Sequence, residues 1–500
     1  MARGKKKESA LTPEEKLAQA LLPDWERPYK VPDNWCWAHW GNCGEFTAGN
    51  GFKNEYQGFQ NLPIPFYKVG SLKYSDSSGY LYDASNTIDE EIRGKLKATI
   101  IPVNSVIFAK IGEAIRLNRR SLNAVPCCID NNLMAFIANG SCLYSYAFYW
   151  SKGTELYDFT NATTVPAIRK SDLEMIPFPL PPLAEQQRIV DRIEYLFTKL
   201  DEAKEKAQSV LDSFETRKAA ILRNAFHGEY TSGSSVENIN SILSCMLSTK
   251  ENMIRSKQIQ RAKVKAWSEE DTIRVFPSEW KQVRVGEIAF VTKLAGFEYT
   301  KYIHLEETGE VPVVRAQNVR MGYLSTENLL YIDNETSETL PRSALTKECI
   351  LVTFIGAGIG DICIFDQKCR FHLAPNVAKV EFFCGGNEEL NTKYALYYLL
   401  SPYGQHEIFK NMKATAQPSL SMETIRDIII PIPDKEEQTE IVRILDSLFA
   451  KEQQAKEAAE VVLEKIDLLK KSILARAFRG ELGTNDPTEE SALELLLKSS

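Results

Sequence analysis

The chain has 500 residues, 44% of them apolar and 25% charged, with 60 Lys and Arg against 67 Asp and Glu and a net charge of −7. That is enough apolar material for more than one core. The acidic balance excludes a uniformly basic nucleic-acid coat, so any phosphate contact needs locally gathered basic residues or a partner's field. No apolar run approaches the roughly 18 residues of a membrane-spanning helix.

Residues 1–30 read as an N-terminal arm or helix. Arg3, Lys5, Lys6 and Lys7 make its start basic, but no apolar stretch follows, so it does not read as a secretory signal. Residues 31–180 open on Val31-Pro-Asp-Asn-Trp35. They carry β-type runs such as Ser105-Val-Ile-Phe-Ala-Lys-Ile111, punctuated by glycine and asparagine turns. A mixed α/β globule is expected. Its Cys36-x2-His39-x3-Cys43 is the nearest approach to a metal site, but zinc needs four ligands and no second pair follows. No metal is expected. The ten cysteines have irregular spacings and no Cys-x-x-Cys, as suits reduced thiols in a cytoplasm.

Residues 181–229 read as one long helix. Pro181 and Pro182 open it and Gly228 closes it. Ile189, Ile193, Leu196, Leu200, Ala203, Ala207, Val210, Phe214, Ile221 and Ala225 recur at helical spacing, the stripe of a coiled-coil seam. Residues 230–275 are a central connector. A polar Thr-Ser-Gly-Ser-Ser stretch leads into a charged segment, expected to be helical, with Lys250, Arg255, Lys257, Arg261, Lys263 and Lys265. That charge reads either as a solvated face or as a contact with DNA or a partner. Residues 276–432 open on Phe276-Pro-Ser-Glu-Trp280, include the β-type Cys349-Ile-Leu-Val-Thr-Phe-Ile355, and are expected to form a second globule. Residues 433–481 are a second long helix with the stripe Ile441, Leu445, Leu448, Ala455, Ala459, Val462, Ile466, Leu469, Ile473 and Ala477. Residues 482–500 form a tail.

The two helices are copies. Each position in the first has its mate 252 residues on: Glu185-Gln186 and Glu437-Gln438, Phe197 and Phe449, Ala225-Phe226 and Ala477-Phe478. Roughly two in five positions are identical without a gap, which marks an internal duplication. A helix of roughly 60 Å cannot bury its stripe alone, so antiparallel packing of the copies is expected, with Glu185 roughly opposite Phe478. Arg217 and Glu452 are charged seam positions. Arg217 is expected to meet Asp446 or Glu452 and to fix the register.

At this point the residues resemble the specificity subunits of type I restriction-modification systems over nearly the whole chain. The matching phrases are Pro181-Pro-Leu-Ala-Glu-Gln-Gln-Arg-Ile-Val190 with Pro433-Asp-Lys-Glu-Glu-Gln-Thr-Glu-Ile-Val442, and Ile221-Leu-Arg-Asn-Ala-Phe-His-Gly-Glu229 with Ile473-Leu-Ala-Arg-Ala-Phe-Arg-Gly-Glu481. The approach Arg27 to Trp35 and the tail Leu482 to Leu495 fit as well. The resemblance implies two α/β target-recognition domains joined by a long antiparallel two-helix coiled coil, a pseudo-twofold internal repeat. Each domain would read one half of a bipartite asymmetric site on double-stranded DNA. The helices would set the half-site spacing and dock two methyltransferase (modification) subunits, which two restriction/translocase subunits join. S-adenosylmethionine, ATP and Mg would belong to those partners, none to this chain, and the setting would be a prokaryotic cytoplasm. A modification-only or phage-defence methylation system is an alternative. So is a coiled-coil protein adaptor with peptide- or sugar-binding globules, which salt-dependent binding to one DNA sequence would exclude.

A non-catalytic subunit is expected. Ile355-Gly-Ala-Gly-Ile-Gly-Asp361 has the look of a nucleotide loop, but Ile362-Cys-Ile-Phe365 reads as a strand where a cofactor loop needs a helix. It reads as a tight turn between strands, and Lys110-Ile-Gly112 in the first globule is a poorer match. No Asn-Pro-Pro-aromatic motif and no phosphate loop of an ATP motor occurs, and His39, His227, His304, His372 and His406 form no grouping. DNA reading is expected from Arg, Lys, Asn and Gln in loops beside aromatics and glycines. The candidates are Lys68, Ser71, Lys73, Tyr74, Lys110, Arg116, Asn118, Arg119 and Arg120 in the first globule. In the second they are Lys293, Tyr299, Lys301, Arg315, Gln317, Asn318, Arg320, Lys413 and Gln417. Arg315 to Arg320 leads, because it concentrates bidentate donors after a β-type run.

Overall fold

A computed structural model describes residues 18, 20–161, 165–231, 233–384, 390–410, 412 and 419–499. Most of the N-terminal arm, residues 1–17 and 19, lies outside the described residues. The chain forms two compact units. Unit 1 joins the chain up to Gln208 to Glu460–Ser500, and unit 2 is Ser209–Ala459.

In unit 1 a five-stranded sheet runs β2 (Gly44–Ala48), β9 (Leu133–Ala138), β6 (Val106–Ala109), β7 (Arg120–Asn123), β4 (Tyr80–Leu81). All four residues of β6 are buried, as a strand apolar on both faces requires. The helix Tyr144–Gly153 contributes Tyr146, Phe148 and Trp150 to the same core. Trp40 is fully buried, with its ring 4.7–4.9 Å from those of Phe46, Phe136 and Trp150. A smaller sheet places β3 (Ile64–Tyr67) antiparallel to β5 (Thr87–Ile88) and parallel to β8 (Cys128–Ile129). The pair β1 (Cys36–His39) and β10 (Pro177–Leu180) sets the start of the globule against its end, Cys36 opposite Leu180.

Unit 2 repeats the plan. One sheet runs β12 (Ala289–Lys293), β21 (Val377–Phe382), β18 (Cys349–Thr353), β19 (Ile362–Phe365). The second runs β16 (Leu330–Ile332), β13 (Val311–Val314), β20 (Phe371–Leu373), β17 (Ala344–Leu345), with β13 parallel to β20. β11 (Lys281–Arg284) and β22 (Ile429–Ile432) close the globule, Lys281 opposite Ile432. A short ribbon pairs β14 (Val319–Arg320) with β15 (Tyr323–Leu324). The mixed α/β class is as expected.

The second spacer helix is continuous over Lys435–Ala477, 43 residues. The first differs from expectation. It runs Leu183–Asp212 and Phe214–Phe226, interrupted at Ser213. There the Ser213 hydroxyl donates to the Ser209 carbonyl at 2.5 Å and Arg217 Nη2 to the Val210 carbonyl at 3.1 Å, so side chains compete for helix acceptors. Helix pairing is antiparallel within each unit. In unit 1 Lys470 meets Asp201 at 2.6 Å. In unit 2 Arg217 meets Glu452 at 2.8 Å, while Lys456 lies over Phe214 and Lys218 over Phe449. Asp446, the other expected partner of Arg217, accepts instead from Lys393 at 2.8 Å and from Tyr397.

The seam of the second helix also needs correction. Ala455, Val462 and Leu469 are exposed, and the better-covered line runs through Phe449, Glu452, Lys456, Ala459, Leu463, Ile466 and Lys470. Long polar side chains lay their apolar stems along the seam there, a choice that apolar pattern alone misses.

The repeated phrases have defined jobs. Gln186 accepts from the Leu143 N–H (2.7 Å) and donates to the Ser141 and Pro181 carbonyls (both 2.9 Å). Gln438 accepts from the Asn391 N–H (2.9 Å) and donates to the Pro433 carbonyl (3.0 Å). Each glutamine therefore ties the helix start to its own globule. Glu185 accepts from Thr484 and Arg188, both at 2.7 Å. Glu437 accepts from Thr231 (2.6 Å), Ser234 and the Trp280 indole (3.0 Å). Gly228 has φ +75° and Gly480 φ +73°, and a Cβ there would meet Pro277 Cγ at 2.7 Å and Pro32 Cγ at 2.5 Å respectively. Hence each helix ends on glycine, under the proline of a Pro-x-x-Trp phrase.

The connector is a third correction. Its helix spans Val236–Arg255 and buries Ile239, Ile242 and Met246 in the unit 2 core. Lys257, Arg261, Lys263 and Lys265 lie past its end, and Lys250 donates into the globule, to the Gly286 carbonyl at 2.8 Å. The following strap is pinned by Asp271, which holds Arg284 (2% exposed) at 2.6 Å and Lys265 at 3.3 Å. Burial alone would raise the Asp271 carboxyl, but hydrogen bonds from Ser268, Arg284 and Lys265 outweigh it and hold it well below the usual range. The tail forms the helix Ala492–Ser499, with Ala492 and Leu496 in the unit 1 core.

Candidate nucleic-acid interface

Each globule carries a tight turn directly after a strand, β3 of the three-stranded sheet in unit 1 and β13 of the sheet β16-β13-β20-β17 in unit 2. After β3, Lys68 donates its N–H to Ser71 Oγ at 3.0 Å and the Ser71 N–H returns to the Lys68 carbonyl at 2.8 Å, starting a 3-10 turn over Val69–Tyr74. After β13, the Arg315 N–H donates to Asn318 Oδ1 at 3.1 Å and the Asn318 N–H to the Arg315 carbonyl at 2.8 Å, around a 3-10 turn over Ala316–Asn318. Lys68 and Arg315 are half-buried, and their side chains donate within their own globules, Lys68 to Gln57 at 2.8 Å and Arg315 to the Asn328 carbonyl at 2.7 Å. Lys73, Tyr74, Gln317 and Arg320 are exposed.

A second loop in each globule is a hairpin turn, between β6 and β7 in unit 1 and between β18 and β19 in unit 2. Between β6 and β7, the half-buried Lys110 uses its backbone on both sides, N–H to the Asn132 carbonyl and carbonyl to the Ile168 N–H, each 2.9 Å. Arg116 lies 3.5 Å from the Tyr157 ring centre and pairs with Glu113 at 2.8 Å, and Arg119 is exposed. Asn118 adopts φ +47° and accepts from Arg120. Between β18 and β19, Phe354 makes the bonds that Lys110 makes, to the Asn376 carbonyl (3.1 Å) and from the Leu420 N–H (2.9 Å). Gly356 and Gly360 take φ +114° and +86°. The glycines therefore turn one strand into the next, and no helix follows to cradle a phosphate. The two turns share Ile-Gly-x-x-Ile, at Ile111-Gly112 with Ile115 and at Ile355-Gly356 with Ile359, so Lys110-Ile-Gly112 is the true counterpart of the glycine loop.

Elsewhere in unit 2, Lys293 lies 4.8 Å from the Phe354 ring, Tyr299 is half-buried in the helix Gly296–Tyr302, and Lys301 is exposed beside Tyr302. Lys413 and Gln417 lie outside the described residues.

Three candidates belong to the interior. Ser71 and Asn318 are 2% and 1% exposed and cap their turns. Asn318 also donates to the Ser325 and Glu327 carbonyls. Arg120 is 5% exposed, its guanidinium 5.3 Å from the Phe108 ring, and burial pulls its pKa down to about 9. Polar loop residues that cap a turn and those that face outward look alike in sequence. Phe297 (72% exposed) and Tyr323 (61%, the strand partner of Arg320) face outward, which composition cannot tell from a place in the core.

Burial also answers for the cysteines. It raises Cys36 to about 12 and Cys43 well above its usual value, keeping both as thiols, while His39 Nδ1 lies 3.2 Å from the Met175 carbonyl. Among the described residues no group of three or more potential metal ligands occurs, and no helix is long and apolar enough to cross a membrane.

The description "Type I restriction modification DNA specificity domain" matches residues 45–211 and again 277–462. The EcoBI specificity subunit of Escherichia coli is 24% identical over 323 residues, 65% of this chain and 62% of that protein, so the match spans under two thirds of that relative. The StySPI specificity subunit of Salmonella potsdam is 20% identical over 476 residues, 91% of this chain and 90% of that one. The HsdS subunit of Thermoanaerobacter tengcongensis shares the fold with a TM-score of 0.60 at 18% identity, covering 91% of this chain and 99% of that chain. With most of the first globule, nearly all of the second and the first part of each spacer helix inside the matched blocks, the chain belongs to the type I restriction-modification specificity subunits and carries their DNA specificity domain twice.

Proposed function

We propose that the chain selects the DNA site of a type I restriction-modification enzyme, each globule reading one half of a bipartite, asymmetric sequence. The observation that carries this is the duplication itself. Two globules that share a strand plan, though not every strand, carry different loop residues, and each is bonded to the start of its own copy of the spacer helix. Two readers with different side chains suit an asymmetric site, as a dimer of identical readers suits a palindrome. The natural domain division is residues 31–180 and 276–432 for recognition, 181–229 and 433–481 for the spacers, with 230–275 as connector. The second spacer's 43 residues would extend about 65 Å and act as the ruler between half-sites. The subunit takes part in a type I complex and performs no chemical step of its own. Two methyltransferase subunits on the spacers would bring S-adenosylmethionine, and two translocase subunits would bring ATP and Mg.

Methylation mapping tests the reading. The chain is expressed with the methyltransferase subunit of its own system in a host whose DNA lacks the mark. One split motif is expected. Exchanging Val31–Lys170 for a relative's segment should change one half and leave the other. A single undivided motif, or loss of both halves together, would overturn the proposal.

A further inference from the structure

Segments 64–74 and 311–321 have the same burial class at every position, although Pro65 and Pro312 are their one identity. The strand contexts agree. β3 lies parallel to β8 and antiparallel to β5, and β13 lies parallel to β20 and antiparallel to β16. The last carbonyl of each strand, at Tyr67 and Val314, accepts from Asp130 (3.0 Å) and Ala374 (2.9 Å). The capping bonds of the two turns then match pair for pair. So Lys68 corresponds to Arg315, Gly70 to Gln317, Ser71 to Asn318 and Lys73 to Arg320. Charge and cap are kept. The outward chemistry differs at Gly70 and Gln317.

Resting on the DNA-specificity reading above, we infer that these turns are equivalent DNA-reading cassettes with divided labour. Lys68 and Arg315 are positioning residues, because each donates to a neighbouring segment of its own globule, Lys68 to Gln57 and Arg315 to the Asn328 carbonyl. Lys73 and Arg320 are the phosphate anchors common to both half-sites, being exposed at the same step of the turn. The position of Gly70 and Gln317 determines specificity. A glutamine amide offers a donor and an acceptor that match adenine N6 and N7 in the major groove, and a glycine offers neither. This moves base reading from Arg315 to Gln317. Gly70 is exposed, and a Cβ built on it meets nothing within 4 Å, so the larger side chain fits there.

The test uses the full chain assembled with its methyltransferase subunits and duplex oligonucleotides carrying the mapped site and its single-base variants. Lys73→Ala and Arg320→Ala should weaken binding to every variant alike and lower the salt slope by about one. Gln317→Ala should cost about 5- to 150-fold in discrimination at one base pair of one half-site. Gly70→Gln should create a preference in the other half. Lys68→Met and Arg315→Met should relax base preference at unchanged salt slope, with Lys68→Arg restoring it. If the wild type marks a split motif that Q317A and G70Q leave unchanged, the inference is overturned and the bipartite reading stands. Loss of methyltransferase co-purification in K73A and R320A, at unaltered DNA affinity, would also overturn it by making the turns protein-docking surfaces. An undivided wild-type motif would remove the underlying reading and the inference with it.

Discussion

The two repeats solve one closure problem with different chemistry. In unit 2, Glu437 is held by three uncharged donors, Thr231, Ser234 and Trp280. In unit 1, Glu185 has Thr484 and a charged partner, Arg188, which Glu489 also holds through two bonds of 2.8 Å. The closing strands differ likewise. Arg284 ends β11 as a buried ion pair with Asp271, and the residue in its place on β1 is His39, whose ring lies 3.2 Å from the Met175 carbonyl. Across the spacers, unit 2 has Arg217 on Glu452, and their repeat mates in unit 1 are Leu469 and Leu200. Shape was kept while the means of holding it diverged. Backbone positions and one acceptor were fixed, and the donors were free to change.

The largest asymmetry should appear on cutting the Arg284 pair. Asp271→Ala strands a guanidinium that is 2% exposed, and chemical denaturation should register a loss of about 3–5 kcal/mol confined to unit 2. The native Asp271 pKa is depressed, so its contribution is full above the ordinary carboxylate value of about 3.9 and is lost as pH falls towards the folded value. The gap between wild type and variant should therefore close on acidification. A gap that widened would mean another group controls the strap.

Next, Glu437→Ala leaves three donors without their acceptor and should cost about 2–3 kcal/mol by thermal melting. Glu185→Ala should cost less, because Glu489 still satisfies Arg188. Equal losses would erase the distinction drawn between the closures. Gly228→Ala and Gly480→Ala probe what the repeats share. Positive φ and the facing proline should make each cost about 1–3 kcal/mol, with near-equal shifts in melting temperature. The smallest effect belongs to the spacer. Arg217→Leu with Glu452→Leu copies the unit 1 residues onto unit 2 and should change stability by about 1 kcal/mol or less, since both side chains are partly exposed. A larger loss would make the ion pair a stability element of the spacer.

The spacer helices were legible because proline, glycine and the helical period are local signals, and duplication made them unmistakable. The strands β6 and β18 were legible as short apolar runs. The interruption at Ser213 was not, because it arises from a hydroxyl and an arginine folding back onto carbonyls that any helix presents. The middle of the second seam was missed because Lys456 and Lys470 occupy it with their stems. The equivalence of the two turns was hidden for a different reason. Their likeness lies in burial and capping, which Ser71 and Asn318 satisfy with different side chains. The same chemistry made those caps look like base readers.

That turn has a consequence for evolvability. Its inward residues carry the packing and the capping bonds, while Gly70, Lys73 and Tyr74, like Gln317, Arg320 and Met321, project from a frame that does not need them. Substitutions at such exposed sites usually move stability by no more than about 0.5 kcal/mol. A lineage under pressure to change its target could thus explore the codons of Gly70, Tyr74, Gln317 and Met321 at almost no cost in folding, one half-site at a time, while Lys73 and Arg320 stay in place as anchors.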